Sequence, residues 1–339
     1  MKQRKIGDYR VPAIGLGCMN LSHAYGYPPD EADAIRLLHR AVDLGVRHFD
    51  TAALYGFGAN ETLLGKALKP YRGEIHLASK CGMTGVDGKR VIDGRAETLE
   101  KTIDESLRHL QTDHINLYYL HRWDKSIPIE ESVGALSRMV EQGKVGALGL
   151  SEVSAETLRK AHAVHPITAV QTEYSLWTRN AEIAVLDACR ELDATFVAFS
   201  PVGRGFLAGA VADPAQFLEK DIRRNMPRFE EPHFSANRQC LWELADLAYE
   251  SQCTMAQLAL AWLLTRGEHV LPIPGTTSVS HLNENFNSLE VNLSREVIEK
   301  LDGFLNRHSI KGRRYPESTQ NEIDTEEYFN GLLQNLSEF

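Results

Sequence analysis

Four side chains in this chain have the types and spacing needed to move a proton to or from an oxygen atom. Asp50 and Tyr55 lie five residues apart in Val46-Arg47-His48-Phe49-Asp50-Thr51-Ala52-Ala53-Leu54-Tyr55-Gly56, where an apolar run stops. Lys80 closes the run Ile75-His76-Leu77-Ala78-Ser79-Lys80, and His121 closes Ile115-Asn116-Leu117-Tyr118-Tyr119-Leu120-His121. A free phenol titrates near ~10, so Tyr55 has a proton to give at neutral pH. A neighbouring ammonium stabilises phenolate, so Lys80 is expected to lower that value, with Asp50 keeping Lys80 charged and in place. A tyrosine tuned in this way protonates an alkoxide as it forms, or deprotonates an alcohol in reverse. His121 can donate a hydrogen bond that polarises and orients a carbonyl oxygen. Read alone, the first stretch is equally a loop-capping Asp50 and a packed Tyr55. No serine occupies a G-x-S-x-G turn, there is no H-E-x-x-H, and no carboxylate cluster suggests a metal. Carbonyl polarisation without a nucleophile or a metal points to hydride transfer, with the hydride supplied by a cofactor.

The surrounding pattern supplies elements to hold these groups. Ala34, Leu37, Leu38 and Ala41 recur at helical spacing after the N-cap Asp30, and Gly45 stops the helix just before the strand at 46–50. The alternation continues with helices near 60–68, 95–110, 130–142, 155–164 and 181–191. Strands are expected at 75–80, 115–121, 145–151, 168–171, 195–200 and 269–273. Two helices follow near 236–250 and 255–265, and two more near 281–289 and 294–305. Counted from Ile14, eight strands result. Few of them alternate polar and apolar residues, as expected of parallel strands buried on both faces. The pattern predicts an α/β fold, a (β/α)₈ TIM barrel with an N-terminal hairpin around Gly7-Asp8 and long active-site loops, as a single domain over 1–339. Its core is expected over about 14–305, with a polar, loop-like C-terminal tail over 306–339. In such a barrel the C-terminal strand ends form the active rim, where Asp50, Lys80, His121, Ser151, Gln171 and Ser200 fall. The region 203–235 is too long for an ordinary connection, which marks it as functional. Gly15-Leu16-Gly17 is not a G-x-G-x-x-G motif, because Asn20 stands at the last position and no helix opens there.

Composition excludes several classes. The formal net charge of −9 over 339 residues disfavours nucleic acid as a partner. No apolar run approaches the ~20 residues that span a membrane. The basic start Met1-Lys2-Gln3-Arg4-Lys5 leads into no apolar segment, so it is not read as a secretory signal. Five widely spaced cysteines without C-x-x-C suit reduced thiols and a cytoplasmic location.

Taken together, the motifs resemble those of the aldo-keto reductases. They are Phe49-Asp50-Thr51-Ala52-x-x-Tyr55-Gly56, Ser79-Lys80, Leu120-His121-Arg122, Gly149-Leu150-Ser151, Gln171-Thr172-Glu173-Tyr174-Ser175, Ser200-Pro201-Val202-Gly203-Arg204-Gly205 and Ile273-Pro274-Gly275-Thr276, followed by Glu284-Asn285. The likeness runs in order from about Gly15 to Asn285 and is nearest to members with a Ser-Pro-x-Gly-Arg-Gly loop. It implies a nicotinamide-dependent oxidoreductase that reduces an aldehyde or ketone reversibly, with Tyr55 as general acid and Asp50, Lys80 and His121 as its partners. It also implies that Ser151 and Gln171 hold the carboxamide and that Tyr174 stacks on the nicotinamide ring. By the same likeness Ser200, Pro201, Val202, Gly203, Arg204, Gly205 and Leu207 cover the pyrophosphate. Ile273, Gly275, Thr276, Thr277, His281, Glu284 and Asn285 then lie along the remainder of the cofactor. Met19, Trp123 and Tyr315 are candidates for the substrate pocket.

Two positions depart from the pattern of relatives. Glu152 stands where many have Asn; it could accept from the carboxamide nitrogen but could not donate to its oxygen. No Lys or Arg occurs over 275–281 to meet a 2′-phosphate, where guanidinium or ammonium is the usual partner. NADP(H) is expected from the resemblance, NAD(H) is the alternative, and His281 could contribute when protonated. His48, inside a strand, reads as structural. Arg223-Arg224 and Arg313-Arg314 read as solvated pairs, and Cys18 and Cys81 as packing residues near the same rim. A second reading of function is a cofactor-binding, redox-sensing regulatory subunit with slow turnover, docked on a partner.

Overall fold

The computed structural model describes residues 1–22, 24–86 and 89–328. Among the described residues twelve strands occur in chain order: β1 (Gln3–Ile6), β2 (Tyr9–Pro12), β3 (Leu16–Gly17), β4 (His48–Asp50), β5 (His76–Cys81), β6 (Met83–Val86), β7 (Lys89–Ile92), β8 (Leu117–Leu120), β9 (Leu148–Ser151), β10 (Ile167–Glu173), β11 (Thr195–Phe199) and β12 (Val270–Pro272). The first helices are α1 (Glu31–Leu44), α2 (Ala59–Leu68), α3 (Ala96–His109), α4 (Ile129–Glu141), α5 (Ala155–Val164) and α6 (Val185–Glu191). They are followed by α7 (His233–Arg238), α8 (Cys240–Glu250), α9 (Met255–Leu264), α10 (Val279–Asn287), α11 (Arg295–Phe304) and α12 (Glu317–Gln320).

Eight strands pair in parallel in the order β3-β4-β5-β8-β9-β10-β11-β12. The ends meet: Gly15 N–H donates to the Pro272 carbonyl at 3.0 Å, and Gly17 bridges Gly275. A Cβ at Gly17 would lie 2.8 Å from the Ile273 carbonyl oxygen, so the closing seam requires glycine there. The expected (β/α)₈ barrel is therefore present. Local signals start and stop its helices: Asp30 accepts from Asp33 N–H at 2.7 Å to open α1, and Gly45 at φ 97° closes it, so the chain re-enters as β4 three residues later.

Apolar burial falls into two sets. One lies between strands and helices and includes Phe49, Leu77, Leu120, Leu148 and Leu150. The other contains Ala78, Leu117, Tyr119, Ala169, Val197, Leu271 and Ile273, and the hairpin β1–β2 adds Ile6 and Val11 to it. These residues fill the barrel interior and the hairpin closes its N-terminal end. Each fully buried aliphatic side chain contributes about 1.5–3 kcal/mol. Side chains alternate along a strand, so the residue two positions beyond an interior one also faces inward. That register carries Ala78 to Lys80, Tyr119 to His121, Ala169 to Gln171 and Val197 to Phe199. The interior is apolar below and polar at the C-terminal rim. Gly149 is needed at this level, because a Cβ there would meet the Tyr119 ring at 2.3 Å.

Three features differ from expectation. Met83–Val86 and Lys89–Ile92 pair antiparallel as β6 and β7, although neither has a strong strand pattern. The long connection after β11 is a series of short helical turns, including Gly203–Gly205 and Ile222–Asn225, before α7. The tail is not loose up to 328: Arg314, Tyr315 and Ile323 are buried, and Lys125 Nζ donates to the Asn321 and Ile323 carbonyls. Positions 329–339 of the tail lie outside the described residues.

Candidate active site

The four side chains expected to move a proton come together where β4, β5 and β8 end at the rim. Lys80 Nζ, fully buried, donates to Asp50 Oδ1 at 2.5 Å, to the Thr51 carbonyl at 2.7 Å and to the Tyr55 hydroxyl at 3.3 Å. Gln171 Nε2 donates to the other Asp50 oxygen at 2.7 Å. His121 meets the Tyr55 ring edge-on, with centroids 5.8 Å apart. Its backbone N–H donates to the Cys81 carbonyl at 2.8 Å, and among the described residues its ring Nδ1 is buried without a partner. Tyr55 and His121 come from different βα connections, yet the barrel sets them on one floor.

Burial disfavours the Lys80 ammonium, but Asp50 and Tyr55 outweigh it and hold its pKa above the ordinary lysine value. The phenol of Tyr55 behaves differently from expectation. Burial, reinforced by the Asp50 carboxylate, outweighs Lys80 and Arg122 and raises its pKa, so Tyr55 is a protonated phenol. Burial, with Arg122 and Lys80 nearby, drives the His121 pKa well below the ordinary range, so its imidazole is neutral. The set is a protonated phenol, a neutral imidazole and one compensated buried charge.

These groups open onto a cleft of about 820 Å³. Asp50, Tyr55, His121, Ser151 and Gln171 line one part of it. Ser200, Pro201, Val202, Arg204 and Gly205 line the next, and Ile273, Gly275, Thr276, Thr277, His281, Glu284 and Asn285 the far part. Met19 and Tyr315 also line it. Ser278 caps α10 there, accepting from His281 N–H. Lys80 stands behind the wall, and Gly203 and Leu207 are buried beneath the loop.

The sequence profile of the Aldo/keto reductase family matches residues 13–306. The chain belongs to that family. It is 43% identical over 327 residues to an aldo-keto reductase of Schizosaccharomyces pombe whose name carries NADP(+), covering 94% of this chain and 96% of that protein. It is 42% identical over 310 residues to the protein named Probable aldo-keto reductase 1 of Glycine max, covering 91% and 89%. Among solved structures, a glycerol dehydrogenase of Gluconobacter oxydans superposes with a TM-score of 0.83 at 28% identity, covering 92% of this chain and 97% of that one. An aldo/keto reductase of Klebsiella pneumoniae in complex with NADP and acetate gives 0.72 at 26% identity, covering 93% and 99%.

Within this aldo-keto reductase three expected site residues stand away from the cleft. Tyr174 is fully buried against Phe196 and Trp262, and its hydroxyl donates to Glu182 at 2.6 Å, so it cannot offer a face to a ligand in the cleft. Trp123 packs on the outer core and donates through Nε1 to the Ile127 carbonyl. Glu152 accepts through both oxygens from Arg314 at 2.8 Å and from Glu173 N–H at 2.9 Å. Its carboxylate is consumed by the fold. Arg314 also reaches Glu173 at 3.3 Å, and Arg204 donates to Glu173 at 3.0 Å and to the Tyr315 hydroxyl at 3.1 Å. Burial alone would raise the Glu173 pKa, but Arg204, Arg314 and Arg228 outweigh it and hold it down to about 2. Arg314 is thus a buried strut, not a solvated residue. Arg223 likewise pairs with Asp221, donates to the Arg204 carbonyl and lies over the Tyr25 ring. His48 is structural, sharing a 2.9 Å hydrogen bond with His76 Nδ1.

Sequence reasoning missed Phe199 and Arg122. Phe199 ends β11 and is an aromatic of the cleft wall beside Ser200. The signal was available: it lies two residues beyond the interior Val197. Arg122 also lines the cleft, donating to Ser151 Oγ at 3.1 Å and to the His121 carbonyl at 2.6 Å.

Proposed function

We propose that this aldo-keto reductase reduces an aldehyde or ketone to an alcohol with NADPH, reversibly, and that Tyr55 gives its proton to the carbonyl oxygen. The observation that carries this reading is the Lys80 ammonium, pinned by Asp50 and the Thr51 carbonyl, 3.3 Å from the Tyr55 hydroxyl. A nicotinamide cofactor held by the residues of this cleft would supply a hydride to the carbonyl carbon. Negative charge then develops on the carbonyl oxygen. Tyr55 passes its hydroxyl proton to that oxygen, and the nascent phenolate is stabilised by the Lys80 ammonium. Neutral His121 donates a hydrogen bond to the same oxygen and orients it. Asp50 keeps Lys80 charged, and Gln171 fixes Asp50.

The donor set of the cleft fits a nicotinamide dinucleotide. Ser151 and the free capacity of Gln171 suit a carboxamide, and Phe199, not Tyr174, supplies an aromatic wall. The turn Ser200–Gly205, with Arg204, suits a pyrophosphate. Glu284 and Asn285 offer acceptors and donors for adenine. NADP(H) is preferred here because the Schizosaccharomyces pombe relative is named for it. No Lys or Arg from 275–285 lines the cleft, so His281 and the neighbouring hydroxyls take the 2′-phosphate. All five cysteines are free thiols, which suits the cytoplasm. Among the described residues, no helix is long and apolar enough to cross a membrane.

The test is cofactor oxidation over a panel of carbonyls, with NADPH and NADH titrated separately. Tyr55→Phe should lower kcat by about 10²–10⁴-fold and leave cofactor affinity unchanged. Full activity in Tyr55→Phe refutes the proton assignment. Cofactor binding without turnover on any carbonyl, together with a stable complex with another protein, would favour the regulatory reading instead.

A further inference from the structure

Four guanidinium side chains line the cleft and the Lys80 ammonium stands behind its wall; among the described residues, all of these but one pair with a carboxylate. Lys80 pairs with Asp50, Arg204 with Glu173, Arg223 with Asp221 and Arg90 with Glu322. Arg122 is the exception. Among the described residues it makes no ion pair, and its hydrogen bonds go only to the neutral Ser151 hydroxyl and its neighbour's carbonyl. Its Nε is buried with no partner. A guanidinium carries five N–H donors and never loses its charge, so most of its capacity is unused.

The place of Arg122 is specific. It follows His121 at the end of β8 and faces the cleft with Tyr55 and Met83. It is half-buried, so a ligand can reach it. It is close enough to both Tyr55 and His121 to act on their charge states. The proposed pyrophosphate turn, Ser200–Gly205, follows β11, three strands away from β8 in the sheet. The anion that Arg122 lacks is therefore expected from the substrate, not from the cofactor.

We infer that Arg122 makes this cleft select carbonyl compounds that also carry an anionic group, a carboxylate in the first instance, within reach of the carbon that accepts the hydride. The inference rests on the reductase reading above and names its substrate class. A guanidinium and a carboxylate form paired, parallel hydrogen bonds, which neither a neutral amide nor an ester reproduces. A site that keeps an unpaired donor set for such a group discriminates against the analogue that lacks it.

The probes are 4-carboxybenzaldehyde and its neutral methyl ester, methyl 4-formylbenzoate, reduced by the full chain with saturating cofactor at low ionic strength. The ratio of their kcat/KM values should favour the acid by about tenfold or more. In Arg122→Met the ratio should fall to near one, and in Arg122→Lys it should lie between, because charge is kept and the fork is lost. Calorimetric binding of benzoate to the cofactor-loaded protein gives a readout free of turnover and should weaken at least tenfold in Arg122→Met. A wild-type ratio at or below one, or a ratio unchanged in Arg122→Met, overturns the inference while leaving the reductase reading intact. Failure to reduce either aldehyde would count against the reductase reading. Benzoate affinity would then decide the inference, and an affinity indifferent to Arg122→Met would sink it.

Discussion

Replacing Asp50 by Asn tests the electrostatics of the floor most directly. Lys80 Nζ is wholly buried, and among the described residues Asp50 is its sole carboxylate partner, at 2.5 Å. At that distance and an effective dielectric of ~20, the attraction is about 7 kcal/mol, set against the desolvation of both groups. Removing one partner of a buried pair costs about 3–5 kcal/mol net. The loss has a ceiling, because Lys80 can shed its proton. For a lysine of ordinary pKa ~10.4 that costs about 4.6 kcal/mol at pH 7 but only about 2 kcal/mol at pH 9. In the wild type the folded pKa of Lys80 is raised, so its contribution is complete below the ordinary value and is lost only as pH climbs through the raised one. In Asp50→Asn burial would dominate and the folded pKa would fall. The unfolded chain then binds more protons between the two values, so stability rises with pH there. Urea unfolding at pH 7 and pH 9 should show Asp50→Asn destabilised by about 3–5 kcal/mol at pH 7 and by no more than about 2 kcal/mol at pH 9. The double variant Asp50→Asn/Lys80→Met should recover much of the deficit, because no buried charge is left uncompensated. A deficit equal at both pH values, or below about 1 kcal/mol at pH 7, would refute the argument that Asp50 carries a buried ammonium.

Three further outcomes follow from the same structure. Because burial raises the Tyr55 pKa, the pH profile of carbonyl reduction should show no loss attributable to this group until the pH exceeds ~10, and a fall centred near neutrality would contradict it. Arg314→Met leaves Glu152 and Glu173 short of a cation and should cost about 3–5 kcal/mol at pH 7, read by urea unfolding. Glu173 has a depressed folded pKa, so its contribution is present above the ordinary carboxylate value and is lost as pH falls towards about 2; the gap between wild type and Arg314→Met should therefore narrow below about pH 4. Phe199→Ala removes the aromatic wall beside Ser200 and should weaken cofactor binding by roughly 2–12-fold in a fluorescence titration, from the ~0.5–1.5 kcal/mol of a ring contact, whereas Tyr174→Phe should leave it unchanged.

Residue order alone determined the barrel, because its evidence is local and repeated. Helical apolar spacing, caps such as Asp30 and stops such as Gly45 are written within a few residues of one another. Eight buried runs without polar alternation leave few parallel arrangements. The residues at the ends of those runs were equally legible: Asp50, Lys80 and His121 each close an apolar strand, and Tyr55 follows five residues after Asp50. What the tertiary structure decided is how these groups spend their charge. Whether Lys80 lowers the Tyr55 pKa depends on burial, which is a property of the closed barrel and opposes the ammonium. Which aromatic meets the cleft depends on strand register: Phe199 lies on the inward face, while Tyr174, just past β10, turns outward between sheet and helices. Glu152 and Arg314 are 162 positions apart, and no periodicity announces that they pair. Their pairing turns a polar tail into a strut beside the cleft and takes Glu152 away from any ligand. Long-range ion pairs of this kind depend on three-dimensional proximity and desolvation, and one-dimensional pattern carries neither. Only with the other cations lining the cleft paired to carboxylates does Arg122 stand out, among the described residues, as the one without.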